Sequence, residues 1–302
     1  MVKYNMEKSY TTKLDDEIDL VAMGSILLSH KKFIFIFTSI FAIASIFIAL
    51  ILPVTYKSSA IIIESEPSSS TPNLGGMASL VGLDVGEGSS KTVIALEVLK
   101  SRKFFIDFAN KRDAIPLMLA SNWNEENNTL LWPEGFSNES KQWIDGAEPT
   151  KNYVYKNVYL RTLGIVKDPI SNIIEISYIH SSPHASKKIV DWLITDLNEQ
   201  LKNEDLLEAE KSLEYLNNEL EKAQTLEIRN LITSMIKNKL QVTTIANSRE
   251  DYRFKILDPA IAPEMKYKPV RSIVGIVITM IGFFTSIMLV FIYNYYNKLQ
   301  KS

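Results

Sequence analysis

The sequence contains no cysteine and only three histidines among its 302 residues. The lack of cysteine excludes disulfide bridges, thiolate nucleophiles and cysteine-ligated zinc, and it fits a bacterial envelope protein better than a eukaryotic extracellular one. An excess of charge is also missing, because 33 basic and 35 acidic side chains leave a formal net charge of -2. Such a chain has no global field that would attract nucleic acid, so we predict no nucleic-acid partner.

The patterns that resemble catalytic or metal sites are incomplete. His180 and His184 have the spacing of a zinc pair, but Pro183 separates a strand end from a helix start, so no single helix face presents both. A phosphate-binding loop ending at Thr92 would need glycine where Val85 and Ser90 stand. We predict no catalytic residue, no cofactor and no metal, with metal binding by the two histidines as the minor alternative.

Two long runs lack Asp, Glu, Lys and Arg altogether, at residues 33–52 and 272–293. At about 1.5 Å per residue, each run is long enough to cross a hydrocarbon core of about 30 Å. We therefore predict two transmembrane helices at these positions. The segment between them, residues 53–271, is long enough to form a domain with its own core.

Basic residues beside the first run predict its orientation. Lys31 and Lys32 precede the run directly, whereas only Lys57 appears after it before Lys91. Basic flanks favour the cytoplasmic side, so residues 1–32 and the tail 294–302 are expected in the cytoplasm and residues 53–271 in the periplasm.

The periplasmic segment is predicted to combine strands with helices. Strands are expected at residues 56–63, 173–178 and 252–256, where apolar or β-branched residues run or alternate with polar ones. The last two are expected to be partners in one sheet. A flexible segment rich in Pro, Gly and Ser follows the first strand at 65–90, and one amphipathic helix is expected at 91–111. The base is therefore assigned to about 53–182 and 248–271.

A helical hairpin is predicted at about residues 183–247. Ser182 and Pro183 are preferred residue types for a helix start. A single helix of this length would climb about 97 Å, farther than the 24 residues before the second run can return, so the chain must reverse. Gln224 and Thr225 are the predicted turn. The apolar seam that precedes it has heptad spacing and contains Ala209, Leu213, Leu216, Leu220 and Ala223.

Besides the hairpin seam, a candidate helix-packing site lies at the predicted C-terminal membrane helix. Pro259, Pro263 and Pro269 stiffen the approach to this helix. Gly275 and Gly282 are seven residues apart, on one helix face, where they would let another helix approach closely. The alternative is that these glycines reflect only the general frequency of glycine in membrane helices.

These residues occur in an order that resembles one family, the Wzz chain-length determinants. The resemblance is carried by Glu17-Ile18-Asp19-Leu20, Pro53, Tyr56-Lys57-Ser58-Ser59-Ala60, Leu99-Lys100-Ser101-Arg102-Lys103-Phe104, Ile176-Ser177-Tyr178 with His180, Ser182-Pro183 and Ala185, Asp258-Pro259-Ala260, and Pro263-Glu264. It implies an α+β membrane protein in which two transmembrane helices flank a periplasmic domain with a membrane-proximal α/β base and a long helical hairpin.

The resemblance also implies a function without catalysis. Such a protein is expected in the inner membrane of a Gram-negative bacterium, as a homo-oligomer that acts with a Wzy-type polymerase and sets how many repeat units enter a lipid-linked glycan. No ATP-binding domain is expected in residues 294–302, which argues against a co-polymerase kinase, and a sensor would need a larger output module. A periplasmic adaptor or scaffold subunit of an envelope export machine is the alternative.

Overall fold

The computed structural model describes residues 20–65, 87–144, 146–249 and 251–301. The predicted flexible segment therefore lies mostly outside the described residues, as does most of the N-terminal segment. The chain divides into two compact units, residues 1–52 with 270–302 and residues 53–269. The second unit corresponds closely to the segment between the two apolar runs.

The helices of the described residues are, in chain order, α1 (Leu20–Ser29), α2 (Lys31–Ile51), α3 (Glu87–Lys100), α4 (Arg102–Arg112), α5 (Ala114–Leu119), α6 (Lys151–Val154, continued by a π-helical turn at Tyr155–Tyr159 and by Leu160–Thr162), α7 (Pro183–Lys222), α8 (Leu226–Ser248) and α9 (Arg271–Lys301). The strands are β1 (Tyr56–Glu64), β2 (Ser121–Asn124), β3 (Thr129–Leu131), β4 (Phe136–Ser137), β5 (Gln142–Trp143), β6 (Leu163–Lys167), β7 (Ile174–His180) and β8 (Phe254–Asp258).

The first unit contains the two predicted membrane helices. Helices α2 and α9 pack along each other, and both are long and apolar enough to cross a membrane. The qualifying stretches are Lys31–Ile51 and Arg271–Asn297. The two predicted spans are therefore confirmed as helices of suitable length and composition, and α1 is an addition to the predicted architecture.

A four-stranded antiparallel sheet organises the second unit, in the order β6-β7-β1-β8. Tyr56 of β1 pairs with His180 of β7, and Glu64 of β1 pairs with Phe254 of β8. The two later predicted strands thus share one sheet, as expected. The prediction that they are partners is wrong, because β1 lies between them and pairs with both.

The core forms where helices cover the sheet. Along β1 every second side chain from Tyr56 to Ile62 is buried, and the same alternation on β7 buries Ile174, Ile176 and Tyr178. Helix α7 packs against both strands. The largest fully buried side chains of this unit are Tyr159, Tyr178, Phe104, Phe105, Phe108, Phe254, Ile62, Leu99, Ile174, Ile176, Ile189 and Leu193.

Two local predictions need correction. The single helix expected at 91–111 is two helices, because Ser101 is extended and its side chain accepts a hydrogen bond from the Phe104 N–H, which starts α4. On β8 only Phe254 is buried, and Ile256 faces solvent because β8 is an edge strand. The segment 122–152, which has no periodicity, contains parts of two small hairpins, β2-β3 and β4-β5.

Candidate functional site

The helical hairpin starts directly from the sheet. Ser182, just after β7, caps α7 by accepting a hydrogen bond from the Ala185 N–H, and Pro183 opens the helix, as predicted. The first half of α7, up to Leu201, is densely buried in the core. In the second half only Ala209 and Leu216 are buried, so this half pairs with α8 rather than with the sheet.

The chain reverses where the sequence predicts the turn. Helix α7 ends at Lys222 and α8 begins at Leu226, so Gln224 and Thr225 lie in the connection. The Thr225 hydroxyl accepts a hydrogen bond from the Ile228 N–H at 3.4 Å and caps α8. The C-cap residue of α7, Ala223, has an extended rather than a left-handed backbone, so this helix end needs no glycine.

The seam between the two helices is narrow. Of the predicted residues Leu213, Leu216 and Leu220, only Leu216 is buried, and the other two are partly exposed. From α8, Ile232 and Ala246 are buried. The Lys239 ammonium also reaches across to the Glu208 carboxylate of α7 at 2.9 Å. A role of the three leucines in contacts between protomers remains a prediction.

An amide fixes the root of the hairpin to the sheet. The buried Asn198 side chain of α7 donates to the Phe254 carbonyl at 2.8 Å and accepts from the Phe254 N–H at 2.8 Å and the Arg253 N–H at 3.2 Å. These bonds hold the start of edge strand β8 against α7. A single asparagine in a helix carries no sequence signal of a partner 56 residues away, so this contact could not be predicted.

A buried carboxylate fixes the same part of α7 to α4. Asp196 accepts from Arg112 through Nη2 at 2.7 Å and Nε at 3.0 Å, and from the Lys111 ammonium at 3.0 Å. Only 6% of the Asp196 side chain is exposed. The planar guanidinium holds both carboxylate oxygens, so the hairpin root has a defined orientation.

One face of α8 is apolar and exposed. Ile228, Leu231 and Met235 follow one another at intervals of three and four residues, which places them on one side of the helix. Leu231 is 62% exposed and Met235 is 47% exposed. Within the described residues this face is uncovered, and side chains of this kind are the usual material of a protein interface.

The two histidines are not brought together as a ligand pair. His180 is buried and both ring nitrogens are used, since Nδ1 accepts from the Ser182 N–H at 3.0 Å and Nε2 donates to the Leu117 carbonyl at 2.8 Å. His184 is exposed and meets Trp123 edge-on. Among the described residues, no group of three or more His, Cys, Asp or Glu side chains is arranged to hold a metal ion.

We expect His180 to make the domain sensitive to acid. Burial lowers the pKa of His180 from 6.5 to about 4, so the unfolded chain binds a proton that the folded chain excludes in this range. The contribution to the free energy of unfolding is therefore constant above pH 6.5 and falls by about 1.4 kcal/mol per pH unit as the pH drops towards 4. Urea unfolding of the full chain in detergent at a series of pH values, followed by tryptophan fluorescence, measures how the free energy of unfolding changes with pH.

His184 provides the control for this experiment. The variant His180→Gln loses stability at pH 7 but should have a shallower pH dependence, whereas His184→Gln should keep the slope of the original chain. An unchanged slope in His180→Gln would show that other groups cause the acid sensitivity.

In the first unit, the two predicted glycines of α9, Gly275 and Gly282, lie on the side of this helix that faces α2. A Cβ atom at Gly282 would stand 2.5 Å from Cβ and Cγ of Phe41, whereas one at Gly275 would meet only the Ser45 hydroxyl, at 3.7 Å. The close approach at Gly282 is thus within one chain. The predicted prolines belong to the other unit, in an extended segment where Ser58 donates to the Ile261 carbonyl and Thr55 pairs with Lys268.

We predict that Gly282→Ala forces α2 and α9 apart. Because the chain has no cysteine, the pair Ser45→Cys and Gly275→Cys can report the distance between the helices through disulfide yield. Adding Gly282→Ala should lower that yield severalfold. Gly24→Ala is the control, since nothing lies within 4 Å of a Cβ at Gly24. Equal yields in both backgrounds would contradict tight packing at Gly282.

Comparison with known proteins agrees with the resemblance. Residues 16–111 match the family model of Wzz, described as chain length determinant protein. This stretch runs from the segment before α1 to α4. The resemblance to the Wzz family is therefore confirmed over this part of the chain. A search of the curated proteins found no match to this protein.

Solved structures with similar elements were also found. A full-length bacterial polysaccharide co-polymerase has 14% identity and a TM-score of 0.39, with 94% of this chain and 99% of the other covered. A fragment of the co-polymerase WzzB from Salmonella Typhimurium has 11% identity and a TM-score of 0.32, covering 71% of this chain and all of the other. A variant of the lipopolysaccharide O-antigen chain-length regulator of Shigella flexneri has 14% identity and a TM-score of 0.20, with coverages of 70% and 100%.

Proposed function

We propose that this protein, which matches the Wzz chain length determinant family over residues 16–111, regulates the modal chain length of a surface polysaccharide made by a Wzy-dependent pathway. The glycan is an O-antigen or a related polymer. The match to chain length determinants is the observation that carries the proposal. The protein has no catalytic step of its own in this account, since a separate polymerase forms the glycosidic bonds.

The proposed location is the inner membrane of a Gram-negative bacterium. Helices α2 and α9 are the two anchors, and residues 53–271 extend into the periplasm. The basic pair Lys31 and Lys32 at the start of α2 supports a cytoplasmic N-terminus. Two membrane crossings then place the C-terminal end of α9 on the same side.

The proposed mode of action is an oligomeric scaffold. The apolar face of α8 formed by Ile228, Leu231 and Met235 supports a homo-oligomer, because an exposed apolar strip becomes favourable when a second copy covers it. Protomers arranged side by side would present repeated surfaces to the Wzy-type polymerase and to the growing lipid-linked glycan. The number of repeat units added before release would then depend on protomer packing rather than on chemistry.

A deletion strain tests this function. Silver-stained gels of cell-envelope polysaccharide should show a ladder without a preferred length, and the complete chain supplied in trans should restore the mode. The export of drugs and of secreted proteins should stay unchanged. A normal ladder combined with an export defect would instead favour an adaptor subunit of an envelope export machine.

A further inference from the structure

A cleft lies at the root of the hairpin. It measures about 860 Å³ and is bordered by the end of β1, by α3 and by the facing sides of α7 and α8. Pockets of about 300–1,000 Å³ are typical of sites for small molecules. The cleft is therefore large enough for one or two sugar rings.

Charges of both signs line the cleft, and two of the ion pairs form within its walls. Asp205 accepts hydrogen bonds from the Tyr252 hydroxyl at 2.7 Å and from Nη2 of Arg253 at 3.3 Å. On the opposite wall, Lys239 and Glu208 form the ion pair across the hairpin. The lining as a whole carries four carboxylates and three basic side chains, so no excess of positive charge attracts an anionic ligand, and a cationic ligand would compete with the basic side chains already present. The cleft therefore favours an uncharged ligand.

One donor in the wall lacks a partner. Nε of Arg253 is buried and has no hydrogen-bond partner among the residues that the structure describes. A buried unsatisfied donor is costly, and a turn of the Arg253 side chain towards the cleft would let an oxygen atom of a ligand relieve that cost. The ligand should therefore offer a neutral oxygen that can accept a hydrogen bond.

Another part of the wall is apolar. Ile94 and Val98 of α3 line the cleft together with Val242 and Ile245 of α8. An occupant must then present both hydroxyl or amide groups and a hydrocarbon face. A pyranose ring has both, because its hydroxyls donate and accept at the rim while its C–H groups form an apolar side.

We propose that this cleft binds uncharged sugar residues of the growing glycan. This inference rests on the proposed function and adds a place on the chain where the polymer is held. The cleft lies between α3, α7 and α8, so a bound sugar would touch the hairpin and the base at the same time.

Binding can be measured with the full chain in detergent micelles. The probe is a set of repeat-unit oligosaccharides, released by mild acid from the surface polysaccharide of the strain that encodes this protein, and the readout is saturation-transfer difference NMR. Val242→Trp fills the cleft without removing a hydrogen bond and should lower the affinity about tenfold or more, equivalent to at least ~1.4 kcal/mol. Leu240→Trp, on the same helix but outside the cleft, should change it less than about twofold.

Ile94→Trp fills the cleft from α3 and keeps the test valid if Val242→Trp fails to fold. Because an uncharged sugar makes no ionic contact with the walls, the affinity should change less than about twofold between 50 and 500 mM salt. No saturation transfer with the original chain, or equal affinities for the Ile94 and Leu240 variants, would overturn the proposal. A tenfold loss of affinity at high salt would overturn the uncharged-ligand class. If the protein sets the preferred glycan length in its own strain but the purified chain does not bind the oligosaccharides, this inference is wrong and the proposed function stands.

Discussion

Replacing Leu216 with lysine should abolish the preferred glycan length while polymerisation continues. Leu216 is 6% exposed and is the best buried leucine of the seam between α7 and α8. An ammonium group at this position must be desolvated without a partner, so the two helices separate or the paired half of the hairpin loses its order. A gel of the polysaccharide from a deletion strain carrying Leu216→Lys should show a ladder without a mode.

The matched control for this change is Asn217→Lys. Asn217 is the next residue on α7 and its side chain is exposed. A lysine at this position therefore adds the same charge as Leu216→Lys without entering the seam. This variant should keep the mode, and both variants should reach normal levels in the membrane. A preserved mode in Leu216→Lys would show that the hairpin seam has no part in length control.

Replacing Asp196 with asparagine should lower the free energy of unfolding by about 3 kcal/mol, at the low end for a broken buried ion pair, because Lys111 and Arg112 keep partial access to water. The substitution conserves the shape of the side chain and removes the charge that Arg112 holds with two hydrogen bonds. Urea unfolding at pH 7, followed by tryptophan fluorescence, measures the difference.

Glu199 offers a control on the same helix. It also accepts from Lys111, at 2.6 Å, but 51% of its side chain is exposed. Glu199→Gln should therefore cost less than about 1 kcal/mol. Equal losses for the two variants would mean that the burial of Asp196 is not what makes its ion pairs important.

The sequence was most informative where a pattern is local. Charge-free runs fix the two membrane helices, since their length follows from the bilayer thickness. The reversal at Gln224 and Thr225 follows from a lapse in the apolar stripe and from the distance the chain has to return. Both features can be read from residue types and from distances along the chain.

Features that depend on distant partners were not predictable in this way. The bonds of Asn198 to Phe254 and of Asp196 to Arg112 join residues that are far apart in sequence. The position of β1 between β7 and β8 likewise depends on pairing across the whole unit. For Leu213 and Leu220, heptad spacing groups them with Leu216, but spacing carries no information on how much of each side chain stays exposed in the folded hairpin.

The most direct test of the scaffold account compares two quantities in the same cells, the length distribution of the surface glycan and the total number of repeat units polymerised. Gel densitometry gives the first, and sugar analysis of the polymer fraction gives the second. On deletion of this protein the account predicts that the preferred length disappears while the polymerised sugar stays within about twofold, because the bond-forming enzyme is separate. Loss of the polymer itself, restored by the complete chain, would contradict a role confined to length control.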